Sequence, residues 1–160
     1  MTSSSERPAS ERPEFFNLFT TGVAYVNRAR EVALENGNPY LACSLAALNG
    51  PKQKVKYRYI DCSVVGDKAQ ELIRKYMAII KDENRKVLCG FKIGDLWVDT
   101  FIFQKGPKQG QPGFSLKGRL LVLEWIKVDG EYVYVAAESA SADRAVSQEP
   151  TVEVVNHAAA

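Results

Sequence analysis

Histidine is almost missing from this chain: His157, close to the end of the sequence, is the only one. Ser–His and Cys–His nucleophilic catalysis therefore have no base in the body of the protein. A histidine-rich metal site is excluded for the same reason. Cysteine is scarce too. Cys43, Cys62 and Cys89 lie far apart, each in an apolar run. An odd count without C-x-x-C spacing argues against a disulfide framework or a zinc site. The three read as buried free thiols packing as small hydrophobes. No run approaches the roughly 20 apolar residues that a membrane helix needs. The opening MTSSSERPASERPE has no apolar centre for a secretory signal. The expected location is thus cytoplasmic, away from membranes. Neither G-x-x-x-x-G-K-[ST] nor G-x-G-x-x-G occurs. These absences disfavour an enzyme, and neither a cofactor nor a metal is expected. The residual catalytic option is Asp61, Asp95 and Asp99 holding a divalent metal as in a nuclease, although most such acids are turn or surface residues.

What is present fits one globular domain with tails. Hydrophobic residues make up 46% and charged residues 25%, ordinary values for a folded protein. The net charge of +2 says little, but its distribution says more. Lys52, Lys54, Lys56 and Arg58 form one stretch without an acid. Lys105, Lys108, Lys117 and Arg119 form another. Two acid-free basic stretches suit a phosphate-binding groove, whereas either alone reads as a solvated loop.

Residues 1–13 are Ser, Glu, Arg and Pro with little apolar content, which predicts a disordered arm. Residues 138–160 predict a flexible tail, in which Val152, Val154 and Val155 are the one strand-like run. The folded domain is expected at 14–137. Strand signals dominate it. Phe15 to Val32 reads as a bent strand with Gly22 at the bend, and Tyr40 to Leu48 as the second. Val55 to Val65 is the third, with Ile60, Cys62 and Val64 inward and Tyr57, Tyr59, Asp61 and Ser63 on the opposite face. Asp67 is the expected N-cap of one helix from Lys68 to about Asp82, with Leu72, Ile73, Tyr76, Met77 and Ile80 in its apolar stripe. A fourth strand follows at Val87 to Ile93, then a turn or bulge at Gly94-Asp95. KGPKQGQPG (105–113) predicts a mobile hairpin loop. Phe114 to Val128 is the next strand, and Asp129-Gly130 turns into Tyr132 to Ala136. A helix between the third and fourth strands of a five-stranded Greek-key barrel is the OB-fold arrangement, so the fold class is all-β with one helix. An open α+β sheet is the alternative.

Trp97, Asp99, Phe101, Phe103 and Lys105 share one face of a strand, and Val98, Thr100 and Ile102 share the other. One face is expected to be core. The aromatic face is left with three uses: core, subunit interface or a platform that stacks nucleobases. Tyr57 and Tyr59, bracketed by Lys56 and Arg58, favour the last, because tyrosine tolerates partial exposure. The candidate nucleic-acid-binding residues are Lys54, Lys56, Tyr57, Arg58, Tyr59, Trp97, Phe101, Phe103, Lys105, Lys108 and Lys117.

The run YRYIDCSVVGDKAQELIRKY (57–76), then KVLCGFKI (86–93) and GDLW (94–97), resembles bacterial single-stranded DNA-binding proteins. The resemblance implies base-stacking roles for Tyr59 and Trp97, with Val65 standing where that family has an aromatic. FFNL (15–18), AALNG (46–50), GDLWVDTF (94–101) and SLKGRLL (115–121) are more closely similar to a replication-associated family of bacterial integrative conjugative elements. What these resemblances imply is sequence-tolerant binding of single-stranded DNA, with RNA left open, in replication or transfer of a mobile element. They also imply a homo-oligomer, often a tetramer. The sequence ends VVNHAAA and lacks the acidic, aromatic-ended tip through which housekeeping members recruit partners. The alternative function is an OB-fold interaction protein whose aromatic face binds another replication or conjugation protein.

Overall fold

The computed structural model describes residues 16–137. The expected arm at 1–13, the tail at 138–160 and His157 lie outside the described residues. Six strands and two short helices follow one another: β1 (Phe19–Leu34), β2 (Gly37–Asn49), β3 (Lys56–Val64), α1 (Asp67–Lys75), α2 (Met77–Lys81), β4 (Val87–Ile102), β5 (Pro112–Val128) and β6 (Glu131–Val135). β2 pairs antiparallel with β1 and β3, and β4 with β1 and β5. Parallel pairing of Asp61–Val64 on β3 with Lys117–Leu120 on β5 closes the ring. The result is a five-stranded OB-fold Greek-key barrel, with the helical segment between its third and fourth strands. β6 is a short addition hydrogen-bonded to the C-terminal half of β5. No described helix is long and apolar enough to cross a membrane.

Alternation along the strands builds the core. Ala24 and Val26, Leu41, Cys43 and Leu45, Ile60, Cys62 and Val64, Cys89, Phe91 and Ile93, and Leu120 and Leu123 all point into the barrel and are buried. Removing a side chain such as Phe91 or Ile93 from water contributes about 1.5–3 kcal/mol. Cys43, Cys62 and Cys89 are free buried thiols, as their apolar settings predicted.

The single helix expected over 68–82 is two segments, with Tyr76 between them at φ −100° and ψ 9°. The division follows the packing. α1 lies against β5 and α2 against β1, so one straight stripe does not serve both walls. Leu72, Ile73 and Ile80 are buried, and Tyr76 and Met77 pack against the core. The N-cap is Gly66 rather than Asp67, which sits in the first turn. The chain there passes so close to β5 that Val65 N–H and Gly66 N–H both donate to the Leu120 carbonyl, at 2.9 and 3.3 Å. A Cβ on Gly66 would collide with the Leu121 carbonyl.

The fourth strand does not stop at Ile93. It passes through a bulge at Gly94–Trp97, where Asp95 adopts φ 57°, and continues to Ile102. With Pro112–Leu116 it forms a two-stranded arm that leaves the barrel. The expectation that one face of the 97–105 stripe is core is therefore wrong. Beyond the bulge both faces of the arm are open, and residues 95–102 are all exposed. Strand parity predicts two faces but not whether anything covers either. At the tip, residues 103–111 form successive hydrogen-bonded turns with left-handed Gly106 and Gly110.

Candidate nucleic-acid interface

One face of the barrel is organised in rungs. The strand registers place Tyr25, Ala46 and Tyr59 side by side across β1, β2 and β3. Asn27, Ser44 and Asp61 make the next rung, and Arg30, Ala42 and Ser63 the third. The middle strand carries the small residues: Ala42, Ser44 and Ala46 are outward-facing yet covered by their neighbours. Small side chains in the centre and large ones on both flanks make a trough. Asp61 and Lys117 pair across the parallel β3–β5 contact, which joins the trough to the base of the arm.

Three connected grooves run along this face. The first, of about 640 Å³, is lined by Tyr25, Tyr57 and Tyr59 from the strands and by Lys81, Arg85 and Lys86 from the segment entering β4. The second, of about 500 Å³, shares Arg28 and Tyr59 with the first and reaches Phe101 and Phe114 on the arm. The third, of about 380 Å³, shares Asp61 with the second and is lined by Arg30, Tyr40, Trp97 and Lys117. Tyr59 is 68% exposed, Phe101 44%, Tyr57 43% and Trp97 41%, so the rings stand in solvent. Tyr25 and Tyr57 are 6.3 Å apart between ring centroids and tilted by 47°. Six cationic side chains line the grooves against the acids Asp61, Asp82, Glu83 and Asp99. Arg85 is already engaged by Asp129 at 2.9 Å.

Local irregularity supplies two of the cations. A register shift between Asn27 and Arg30, with Arg28 at φ 52°, is a bulge in β1. It turns Ala29 inward, where it is buried, and leaves Arg28 and Arg30 on the groove side. Arg30 donates to the Arg28 carbonyl at 2.8 Å.

Asp61 sits at the centre. Its carboxylate accepts from Ser44 Oγ at 2.7 Å and from Ser115 Oγ at 2.9 Å, which ties β2, β3 and the arm together. Partial burial works against its charge. The two serine hydrogen bonds, with Lys117 and Arg28 nearby, outweigh that and hold the carboxyl below its ordinary value. The carboxylate is ionised at neutral pH.

Of the residues expected from sequence, the structure gathers Tyr57, Tyr59, Trp97, Phe101 and Lys117 along this face. Phe103 stands edge-on to Phe101 at 4.9 Å, with Lys108 Nζ 5.7 Å from its ring centroid. Lys105 and Lys108 belong to the turns at the arm tip. Lys54 lies in the β2–β3 turn, while Lys56 and Arg58 have the opposite strand parity to the tyrosines. None of these six residues lines the three grooves. Sequence reasoning missed Tyr25, Arg28, Arg30, Tyr40 and Lys86. Alternation around buried Ala24 and Val26 is a signal for Tyr25; the bulge that exposes Arg28 has none. Asp61, Asp95 and Asp99 do not gather for a metal. Asp95 faces Arg119 at 3.7 Å, and among the described residues no three acids, cysteines or histidines cluster.

A family model described as a protein of unknown function, DUF3577, matches residues 9–142. The chain belongs to the DUF3577 family. No curated protein matches it in sequence. Among solved structures, it is similar to the small single-stranded DNA-binding protein from Streptomyces coelicolor. The identity is 14% and the TM-score 0.42, over 68% of this chain and 94% of that one. It is also similar to Rim1, a mitochondrial single-stranded DNA-binding protein of S. cerevisiae. There the identity is 11% and the TM-score 0.33, over 73% of this chain and 99% of that one. The OB topology of this DUF3577 chain rests on its own strand pairings.

Proposed function

We propose that this protein binds single-stranded DNA in a sequence-tolerant way, without catalysis, along the trough and the inner face of the arm. One observation carries the reading: a line of solvent-exposed rings, Tyr57, Tyr59, Phe101 and Trp97, with Arg28, Arg30, Lys86 and Lys117 beside them. Rings of this kind stack bases at about 1–3 kcal/mol each, and the cations neutralise phosphates. Replication or transfer of a mobile element is the setting proposed, with a homo-oligomer, a tetramer among the options, as the working form.

The test is titration with oligo-dT at low and high salt, followed by tryptophan fluorescence. Trp97 lines a groove, whereas Trp125 lies over Gly90 and edge-on to Tyr132. Binding is expected to weaken with salt and to quench Trp97. A Trp97→Phe variant is expected to lose the quench while keeping most affinity. No retention of single strands at low salt overturns the proposal. Duplex DNA and RNA in parallel define the preference.

A second reading, protein docking, is favoured by the other face of the arm. There Val98 and Ile102 are exposed and apolar. It predicts that Val98→Asp with Ile102→Asp abolishes association with a partner or a second copy. Affinity for single strands at the groove would stay unchanged.

A further inference from the structure

A negative charge in the middle of a groove that holds a polyanion is costly unless it contacts something other than phosphate. Asp61 lies where the second and third grooves meet, in the wall common to both. Tyr59 and Phe101 line one side of the junction, and Trp97 and Tyr40 the other. A carboxylate offers about four acceptor sites. Ser44 and Ser115 use one on each oxygen, leaving one on each. None of the ion pairs among the described residues involves Asp61. Lys117 and Arg28 act on it as nearby charges, not as contact partners. The serines also fix the carboxylate's orientation, so its two remaining acceptor sites are set in place before any ligand arrives.

We infer that Asp61 forms a base-reading subsite that selects guanine over thymine between the stacking rings Tyr59 and Trp97. The inference rests on the single-stranded DNA reading above and refines its sequence tolerance. Recognition follows from donor patterns. Guanine presents two adjacent donors, N1–H and the N2 amine, on its pairing edge, which match the two oxygens of one carboxylate. Cytosine and adenine each present one exocyclic amine beside an acceptor. Thymine presents a single N–H between two carbonyls, both of which face a carboxylate unfavourably. A base edge is also neutral, so it passes the charge that a phosphate avoids. The phosphates are left to Arg28, Arg30 and Lys117 on the groove walls.

The experiment compares oligo-dT of about 12 nucleotides, within the site size of one OB fold, with the same oligomer carrying one central dG, dI or dA. Wild-type protein is expected to bind the dG oligomer at least about fivefold more tightly than all-dT, the lower end of discrimination by a bidentate pair. Inosine lacks the N2 amine, and its oligomer is expected to lose much of that gain. Asp61→Asn is expected to abolish the ranking, so that the dG and all-dT oligomers bind the variant alike. Equal binding of dG and dT oligomers by wild type, or a dG preference that survives in Asp61→Asn, overturns the subsite. The inosine arm uses unaltered protein, so it decides the matter even where the variant folds poorly. If no oligomer binds at low salt, the underlying DNA reading has failed, and the subsite with it.

Discussion

Tyr59 is where the proposed interface is most exposed to refutation, because it borders two grooves and contributes little to the barrel. It is 68% exposed, so about a third of its surface is covered by protein. A fully buried aromatic side chain hides about 150–250 Å². The part lost in Tyr59→Ala is then about 65 Å², or about 1.5 kcal/mol of stability at ~25 cal/mol/Å². A domain of ordinary stability survives that loss. Loss of one stacked base costs about 1–3 kcal/mol of binding, a drop of about 5- to 150-fold in affinity. Tyr59→Phe keeps the π face and is expected to bind within about twofold of wild type, its hydroxyl making no contact that stacking needs. Tyr132→Ala is the control. Tyr132 is similarly exposed but stands on β6 beside Trp125, and its loss should leave binding unchanged. Fluorescence anisotropy of labelled oligo-dT reads the affinity, and thermal melting followed by circular dichroism reads the fold. A folded Tyr59→Ala that binds like wild type, or a Tyr132→Ala that loses as much, refutes stacking at this face.

Three other outcomes follow from the packing. Gly66→Ala forces a Cβ into the Leu121 carbonyl, and is expected to destabilise by about 1–3 kcal/mol or more in urea unfolding; a change within about 0.5 kcal/mol contradicts the close approach. Burial disfavours the charge of Asp61, but the bonds from Ser44 and Ser115 and the charges of Lys117 and Arg28 win, so its native value is lowered from 3.8. A lowered carboxylate stabilises fully above the unfolded value, and this fades as pH falls through the native one. The stability gap between wild type and Asp61→Asn should therefore be constant near neutrality and shrink below about pH 4; a gap that grows on acidification reverses the sign. Burial also pushes Cys62 and Cys89 up to about 12 and Cys43 well above its usual value. Thiol reagents at neutral pH should label none of the three until denaturant is added.

Much of the barrel was legible because strand parity is a local property. Ile60, Cys62 and Val64 alternate with Tyr59, Asp61 and Ser63, and the structure buries the first set and leaves the second at the surface. The stretch from Val64 through Gly66 to Ile73 announced strand, turn and helix, because each step depends on neighbours in sequence. Three features were not local. Whether the 97–105 stripe is covered depends on where β4 leaves the barrel, and that is set by β3 and β5 meeting at Asp61 and Lys117. The groove floor consists of Ala42, Ser44 and Ala46, small residues that carry no signal until flanking strands stand taller beside them. Arg28 and Arg30 reach the groove through a bulge at φ 52°, which ordinary alternation does not foresee. The order of strands, the inward set and the helix came from periodicity, which acts over a few residues. The trough and the place of Asp61 within it came from register between strands distant in sequence, which is fixed only when the barrel closes.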